Sequence, residues 1–233
     1  MTKPLHIGLI GGIGVAATLV YYQRLTAAVT ATGAQLECTI VHAQVSDLLH
    51  NNTNDLRQAQ AEVYAPLIDR LKAAGADCAA ITSLGGHFCF EETKAISALP
   101  LVSAVAPLDG YFVEQGLARV GLLGTRVVMR TGLYGQLERT EAIAPDDIDA
   151  IGQTYTDMAV AGRCTDAQRA FFFDAAQHLT DKGAEAIVLA GTDLNLAFDG
   201  RETPYRVIDA LDVHVDVLAK LATGTLALET LDG

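Results

Sequence analysis

Tryptophan is absent from this chain, and only six prolines and four cysteines occur in its 233 residues. Positive charge is also scarce. Sixteen Lys and Arg face twenty-eight Asp and Glu, leaving a formal net charge of −12. Such a surface repels phosphate, which argues against nucleic acid or an anionic membrane as partner. Long apolar runs are missing too. The longest stretch without an acid, a base or a histidine is Ile7 to Gln23, 17 residues that include Gly8, Gly11, Gly12 and Gly14. It reads as a strand, a loop and a helix start rather than a membrane span. The chain does not open with a basic, then apolar, then small-residue sequence, so no leader is expected and the expected setting is cytoplasmic. Cys38, Cys78, Cys89 and Cys164 form no Cys-x-x-Cys pair, and no histidine cluster has metal-ligand spacing. They are expected to be reduced thiols, with no metal site. Half of the residues are hydrophobic and 19% are charged, which excludes disorder and supplies a core.

Short apolar runs bounded by glycine or polar residues alternate with helical periodicity. Strands are expected at 6–10, 36–43, 78–82, 101–105, 119–123 and 186–190. All are apolar on both faces, as in a parallel sheet covered by helices. Helices are expected at 55–74, where Pro66 should kink or break the run, at 167–182 and at 205–222. The alternation defines an α/β architecture.

The chain also matches itself. Ile7–Leu25 aligns with Val120–Glu138, pairing Gly8 with Gly121, Gly11 with Gly124, Thr18 with Thr131 and Tyr21 with Tyr134. Gly75-Ala76-Asp77 and the strand after it align with Gly183-Ala184-Glu185 and the strand after that. Two matches in the same order imply an internal duplication. The expectation is two similar parallel-sheet halves of Rossmann-like or flavodoxin-like type with a cleft between them. The first half would be 1–105 together with the returning 211–233, and the second 106–210. Pro100 and Pro107 mark the first crossing, without a flexible linker.

Ligands of parallel α/β sheets bind beyond the carboxyl ends of strands. The repeat places four loops there: Gly11–Gly14, Ser83–Gly86, Gly124–Arg126 and Gly191–Asp193. Glycine-rich loops at helix starts present N–H groups and partial positive charge, suited to a carboxylate or phosphate. Gly11-Gly12-Ile13-Gly14 has the wrong spacing for a dinucleotide fingerprint, and no phosphate-loop or Gly-x-Ser-x-Gly motif is present. Ser83 has a capping reading beside a catalytic one. His87 divides between a structural hydrogen-bonding group and a site residue, and Thr125 and Thr192 between caps and ligand contacts. Asn51 and Asn52 either line the site or form a turn.

These residues resemble the aspartate/glutamate racemase superfamily, which includes hydantoin racemases, maleate isomerases and arylmalonate decarboxylases. Gly11-Gly12-Ile13-Gly14-Val15-Ala16-Ala17-Thr18 is similar to the family's opening Gly-Gly-Met-Gly-Pro-x-Ala-Thr. Leu122-Leu123-Gly124-Thr125 is similar to its midpoint Leu-Gly-Thr, and Leu189-Ala190-Gly191-Thr192-Asp193 to its run ending Gly-Cys-Thr-Glu. The resemblance implies cofactor-independent isomerase-type chemistry on a small anionic carboxylate compound, in a chain that pairs as a homodimer. It assigns catalytic roles to Ser83, His87 and Asp193, and substrate contacts to Gly11, Gly12, Gly14, Gly85, Gly86, Thr125, Gly191 and Thr192. The departure lies at the centre. The family's Cys-Asn-Thr-x-His loop is Ser83-Leu84-Gly85-Gly86-His87 here, and its second cysteine corresponds to Gly191.

Racemisation without a cofactor needs one group to remove an α-proton and another to return a proton to the opposite face, and tuned thiols suit that task. A serine is a weak base unless activated, and glycine exchanges no proton. One-sided chemistry such as decarboxylation, elimination or isomerisation is therefore favoured for a small acidic amino acid or related dicarboxylate. The alternatives are a catalytically silent carboxylate-binding protein and, more remotely, a nucleotide-binding module. Arg57, Arg126, Arg130, Arg163 and Arg201 are the candidates for a second carboxylate.

Overall fold

The computed structural model describes residues 3–231. The chain divides into two compact units, one of residues up to Ala104 together with those from His214 onward, the other of Val105–Val213.

The first unit contains β1 (Ile7–Gly11), α1 (Val15–Ala31), β2 (Cys38–His42), α2 (Val45–Thr53) and α3 (Arg57–Ala73). It continues with β3 (Cys78–Ile81), a 3-10 turn over Gly85–Cys89, α4 (Phe90–Ile96) and β4 (Leu101–Val102). Its strands form one parallel sheet in the order β2-β1-β3-β4. This is the doubly wound order found in flavodoxin-like sheets. β1 and β3 are buried along their whole length, which is why their residues are apolar without alternation. Helix α1 buries Ala17, Tyr21, Leu25 and Val29, a four-residue repeat along one face.

The second unit contains α5 (Pro107–Glu114), β5 (Arg119–Gly124), α6 (Arg126–Thr131), β6 (Glu141–Ile143), α7 (Ile148–Ala161) and α8 (Asp166–Asp181). It continues with β7 (Ala186–Ala190), a 3-10 turn over Thr192–Leu194, α9 (Asn195–Phe198), β8 (Val207–Asp209) and the start of α10 (Ala210–Ala222). Its sheet order is β6-β5-β7-β8, all parallel, the same topology as in the first unit.

The duplication extends to individual contacts. A Cβ on Gly8 would stand 3.0 Å from Leu71 Cδ1 and 3.2 Å from Ala76 Cβ. A Cβ on Gly121 would stand 2.9 Å from Leu179 Cβ and 3.2 Å from Ala184 Cβ. Each glycine lets a helix lie close against the central strand. The Gly-Ala-acid motif has a paired role as well. Asp77 accepts the His6 amide at 2.8 Å, and Glu185 accepts the Ala118 and Arg119 amides at 2.7 and 3.0 Å. Both acids tie off the entry to the unit's first strand.

Several expected elements need correction. Helix α3 runs through Pro66 without a break. Pro66 and Glu62 are exposed, so the carbonyl that loses its helical partner faces water and the missing bond costs little. The span 205–222 is not one helix: Val207–Asp209 forms the edge strand β8, and the helix starts at Ala210. Asn51 and Asn52 lie on α2 rather than in a turn. The repeat also diverges where the sequence match continues. α1 carries Tyr21 in its second turn, whereas α6 stops at Thr131. There Gly132, Leu133, Tyr134 and Gly135 all take left-handed φ of 58, 57, 61 and 70°.

Candidate active site

In the first unit, the loops after β1 and β3 are joined by threonines. Thr18 Oγ1 accepts the Gly12 amide at 3.0 Å, donates to the Gly14 carbonyl at 2.9 Å and lies 3.3 Å from Thr82 Oγ1. The Gly12 amide is thus already engaged within the loop, a departure from its expected use on an anion. Gly12 has φ 87°, and a Cβ there would lie 2.5 Å from the Ala43 carbonyl oxygen and from the His42 ring. Gly86 leaves room for the Tyr64 hydroxyl, 2.7 Å from where its Cβ would be. These glycines are demanded by close packing at the strand ends.

Ser83 begins the tight turn after β3. Its Oγ accepts the Gly86 amide at 3.2 Å, the capping geometry that the sequence held open. The Gly85 carbonyl accepts Asn52 Nδ2 at 3.0 Å, so α2 steadies the same loop. His87 is 4% exposed. Its Nε2 accepts the Ala104 amide at 3.0 Å, and Nδ1 lies 2.7 Å from the Ser83 carbonyl oxygen. An amide N–H can only donate and a carbonyl can only accept, so the proton sits on Nδ1 and the ring is neutral. Burial holds its pKa at about 4, with the Ser83 carbonyl pulling weakly the other way. Neither ring nitrogen keeps a lone pair for a substrate proton. In this geometry His87 ties the Ser83 loop to the chain after β4, the structural hydrogen-bonding arrangement that the sequence left open beside a site role.

A second buried imidazole lies beside it. His214 meets the His87 ring edge-on at a centroid distance of 6.3 Å, and its Nδ1 lies 2.9 Å from the Tyr21 hydroxyl. Burial foremost, then His87, holds its pKa at about 3. The thiols offer no substitute base. Burial pushes Cys38 and Cys89 up to about 11 and Cys78 to about 12, so all three are neutral at physiological pH.

In the second unit the strand-end loops after β5 and β7 touch. A Cβ on Gly191 would be 3.0 Å from Gly124 Cα. Helix α7 lies against both loops. Gly152 leaves room for the Arg126 side chain at the start of α6, and one turn further on the Tyr155 ring fills the space beside Gly191. Tyr155 is 6% exposed. Its hydroxyl donates to Asp193 Oδ2 at 3.2 Å and accepts the Asp193 amide at 3.4 Å. Burial and the Asp193 carboxylate hold the phenol well above its ordinary pKa, against smaller opposing bonds from the Asp193 amide and the Thr192 side chain. Thr192 and Asp193 are both 2% exposed. Thr125 caps α6 only by position: its hydroxyl is buried and has no partner among the described residues.

The four loops and Asn52 are legible in the sequence, but Tyr155 is not. Ile151, Tyr155 and Met158 form an ordinary helical core stripe, and nothing local marks one member as reaching a glycine 36 positions later. Three of the candidate arginines are spoken for: Arg57 pairs with Asp55 at 2.8 Å, and Arg126 and Arg130 with Asp149 at 3.2 and 2.6 Å. Among the described residues, no group of three or more His, Cys, Asp or Glu side chains is placed to hold a metal ion, and no helix is long and apolar enough to cross a membrane.

With two parallel α/β units and glycine-rich strand ends in place, comparison with known proteins gives the class. The family described as Asp/Glu/hydantoin racemase matches residues 10–218, and the chain belongs to that family. Among solved structures it is similar to aspartate racemase from Picrophilus torridus, at 19% identity and TM-score 0.79, covering 93% of this chain and 94% of that one. A Yersinia pestis protein assigned as an Asp/Glu racemase aligns at 24% identity and TM-score 0.78, covering 93% and 98%. Glutamate racemase from Francisella tularensis, solved with D-glutamate, aligns at 14% identity and TM-score 0.66, covering 95% and 82%. At these identities the structures establish the shared fold.

Proposed function

We propose that this chain is a cofactor-independent enzyme that acts on a small acidic amino acid or related dicarboxylate by one-sided proton transfer. Decarboxylation, elimination or isomerisation fits its residues better than two-base racemisation. The observation that carries the substrate class is the Thr125 hydroxyl just after β5, buried and without a partner among the described residues. A lone buried hydroxyl is costly, and a ligand carboxylate oxygen would satisfy it. The D-glutamate held by one structural neighbour supports the same class of ligand.

The reaction type follows from the groups present. Gly191 carries no exchangeable proton. Ser83 Oγ is bonded to the Gly86 amide, and the neighbouring imidazole meets the Ser83 carbonyl rather than its hydroxyl. In this proposal Ser83 orients substrate and His87 fixes the shape of its loop, while Thr192 and Asp193 are the corresponding candidates within the second unit. Gly11, Gly12, Gly14, Gly85 and Gly86 give the strand ends their tight shape. The four cysteines are free, in keeping with a reducing cytoplasm, and the homodimer implied by the resemblance is part of the same proposal.

The engagement of both His87 ring nitrogens also favours a second reading, a binding protein that has lost its chemistry. NMR of the wild-type protein in D2O with L-aspartate, L-glutamate and malonate separates the two. Deuterium entering substrate or product at a rate lowered by Ser83→Ala supports the enzyme. Thermal stabilisation by these acids without any exchange or consumption supports the silent binder.

A further inference from the structure

The residue that follows strand β7 has no side chain, yet the space beside it is full. A Cβ on Gly191 would stand 2.5 Å from Tyr155 Cε2 and 2.9 Å from Cζ. The ring comes from α7, brought close because Gly152 clears the Arg126 side chain. Packing alone does not explain the choice. Phenylalanine would fill nearly the same volume without burying a hydroxyl. The hydroxyl is instead held by the loop after β7. It donates to Asp193 Oδ2 at 3.2 Å and accepts the Asp193 amide at 3.4 Å. That amide stabilises charge on the oxygen once its proton has gone.

We propose that the Tyr155 hydroxyl is the proton donor of the second unit, supplying from α7 the functional group that Gly191 lacks. This rests on the reading of the chain as acting on small acidic compounds. In a decarboxylation, the electron pair of the breaking C–C bond stays on the α-carbon as carbon dioxide leaves. The Tyr155 O–H bond then breaks as the new C–H bond forms. The phenolate regains its proton from water, and the hydroxide so formed combines with carbon dioxide as bicarbonate. Burial and the Asp193 charge keep the resting phenol protonated, and its O–H turns from Asp193 Oδ2 to the carbon as it gives that proton. This one-way delivery matches one-sided chemistry.

The test uses the full chain with 13C at the tyrosine ζ-carbons, the Tyr155 resonance being assigned by Tyr155→Phe. Malonate and L-aspartate are titrated in, and turnover in D2O is measured for both proteins alongside their melting temperatures. The proposal predicts a saturable shift of the Tyr155 resonance. It also predicts a Tyr155→Phe protein that stays folded but turns over about 100-fold or more slowly, with KM changed by less than about threefold. A Tyr155 resonance that responds to neither acid overturns it, as does a Tyr155→Phe rate within about threefold of wild type. If wild-type protein shifts the Tyr155 signal yet consumes nothing, the enzyme reading fails while the hydroxyl's contact with the acid is supported. If it turns over without any Tyr155 response, the enzyme reading holds and this proposal fails.

Discussion

The ring of Tyr155 stands in the space that any side chain on Gly191 would need, with Cε2 at 2.5 Å from the position of that Cβ. The two residues are therefore coupled in packing. Gly191→Ala should destabilise the protein by about 1–3 kcal/mol through overpacking. In a Tyr155→Ala background the cost should fall by about 1 kcal/mol or more, the size expected for residues in contact. Urea unfolding of the four proteins checks this, and equal costs in both backgrounds would show that the ring yields freely.

Much of the fold is legible in the sequence, because parallel sheets write their strands as unbroken apolar runs. Ala186–Ala190 was legible to the residue. The two edge strands of the second unit were not. Glu141–Ile143 has three residues and an exposed charge, and Val207–Asp209 runs directly into α10, so Val207 fell into that helix's apolar rhythm. At the site, sequence located the loops through glycine, but it could not distinguish an imidazole that works from one that holds. That depends on His87 meeting the Ala104 amide and the Ser83 carbonyl, partners that only the folded chain supplies.

The clamp role of His87 has its own consequence. His87→Ala would strand the Ala104 amide and remove a partner of the Ser83 carbonyl inside the core, at a cost of about 2–5 kcal/mol. A pH–rate profile of wild-type enzyme should lack any limb belonging to this imidazole. A variant of unchanged stability that has lost all activity would instead restore His87 as a base.

His87 and His214 make stability depend on acid. Both imidazoles are neutral when folded, with pKa about 4 and about 3, and both take a proton near pH 6.5 once unfolded. Below about pH 6.5 the unfolded chain binds more protons, so stability is lost as pH falls from there toward 4 and is fully present above it. Each ring adds at most about 1.4 kcal/mol per pH unit to the slope. His214→Phe should remove one ring's share, measured by urea unfolding between pH 5 and 8, on the order of this window. An unchanged slope would show that His214 is not protonated on unfolding in this range.

The duplicated contacts predict matched costs. Gly8→Ala and Gly121→Ala each drive a methyl group against a leucine and an alanine at closely similar distances. Each should therefore lose about 1–3 kcal/mol, with the two values close to one another. A large inequality in chemical denaturation would mean that the two units pack their central strands differently.

The handedness of proton delivery separates one-sided from two-base chemistry. The most direct measurement is chiral analysis of α-deuterated product formed in D2O from whichever of L-aspartate and L-glutamate reacts. Deuterium at the reacting carbon in a single configuration is the predicted result. Deuterium delivered equally to both faces, giving both hands of product at matching rates, would contradict it.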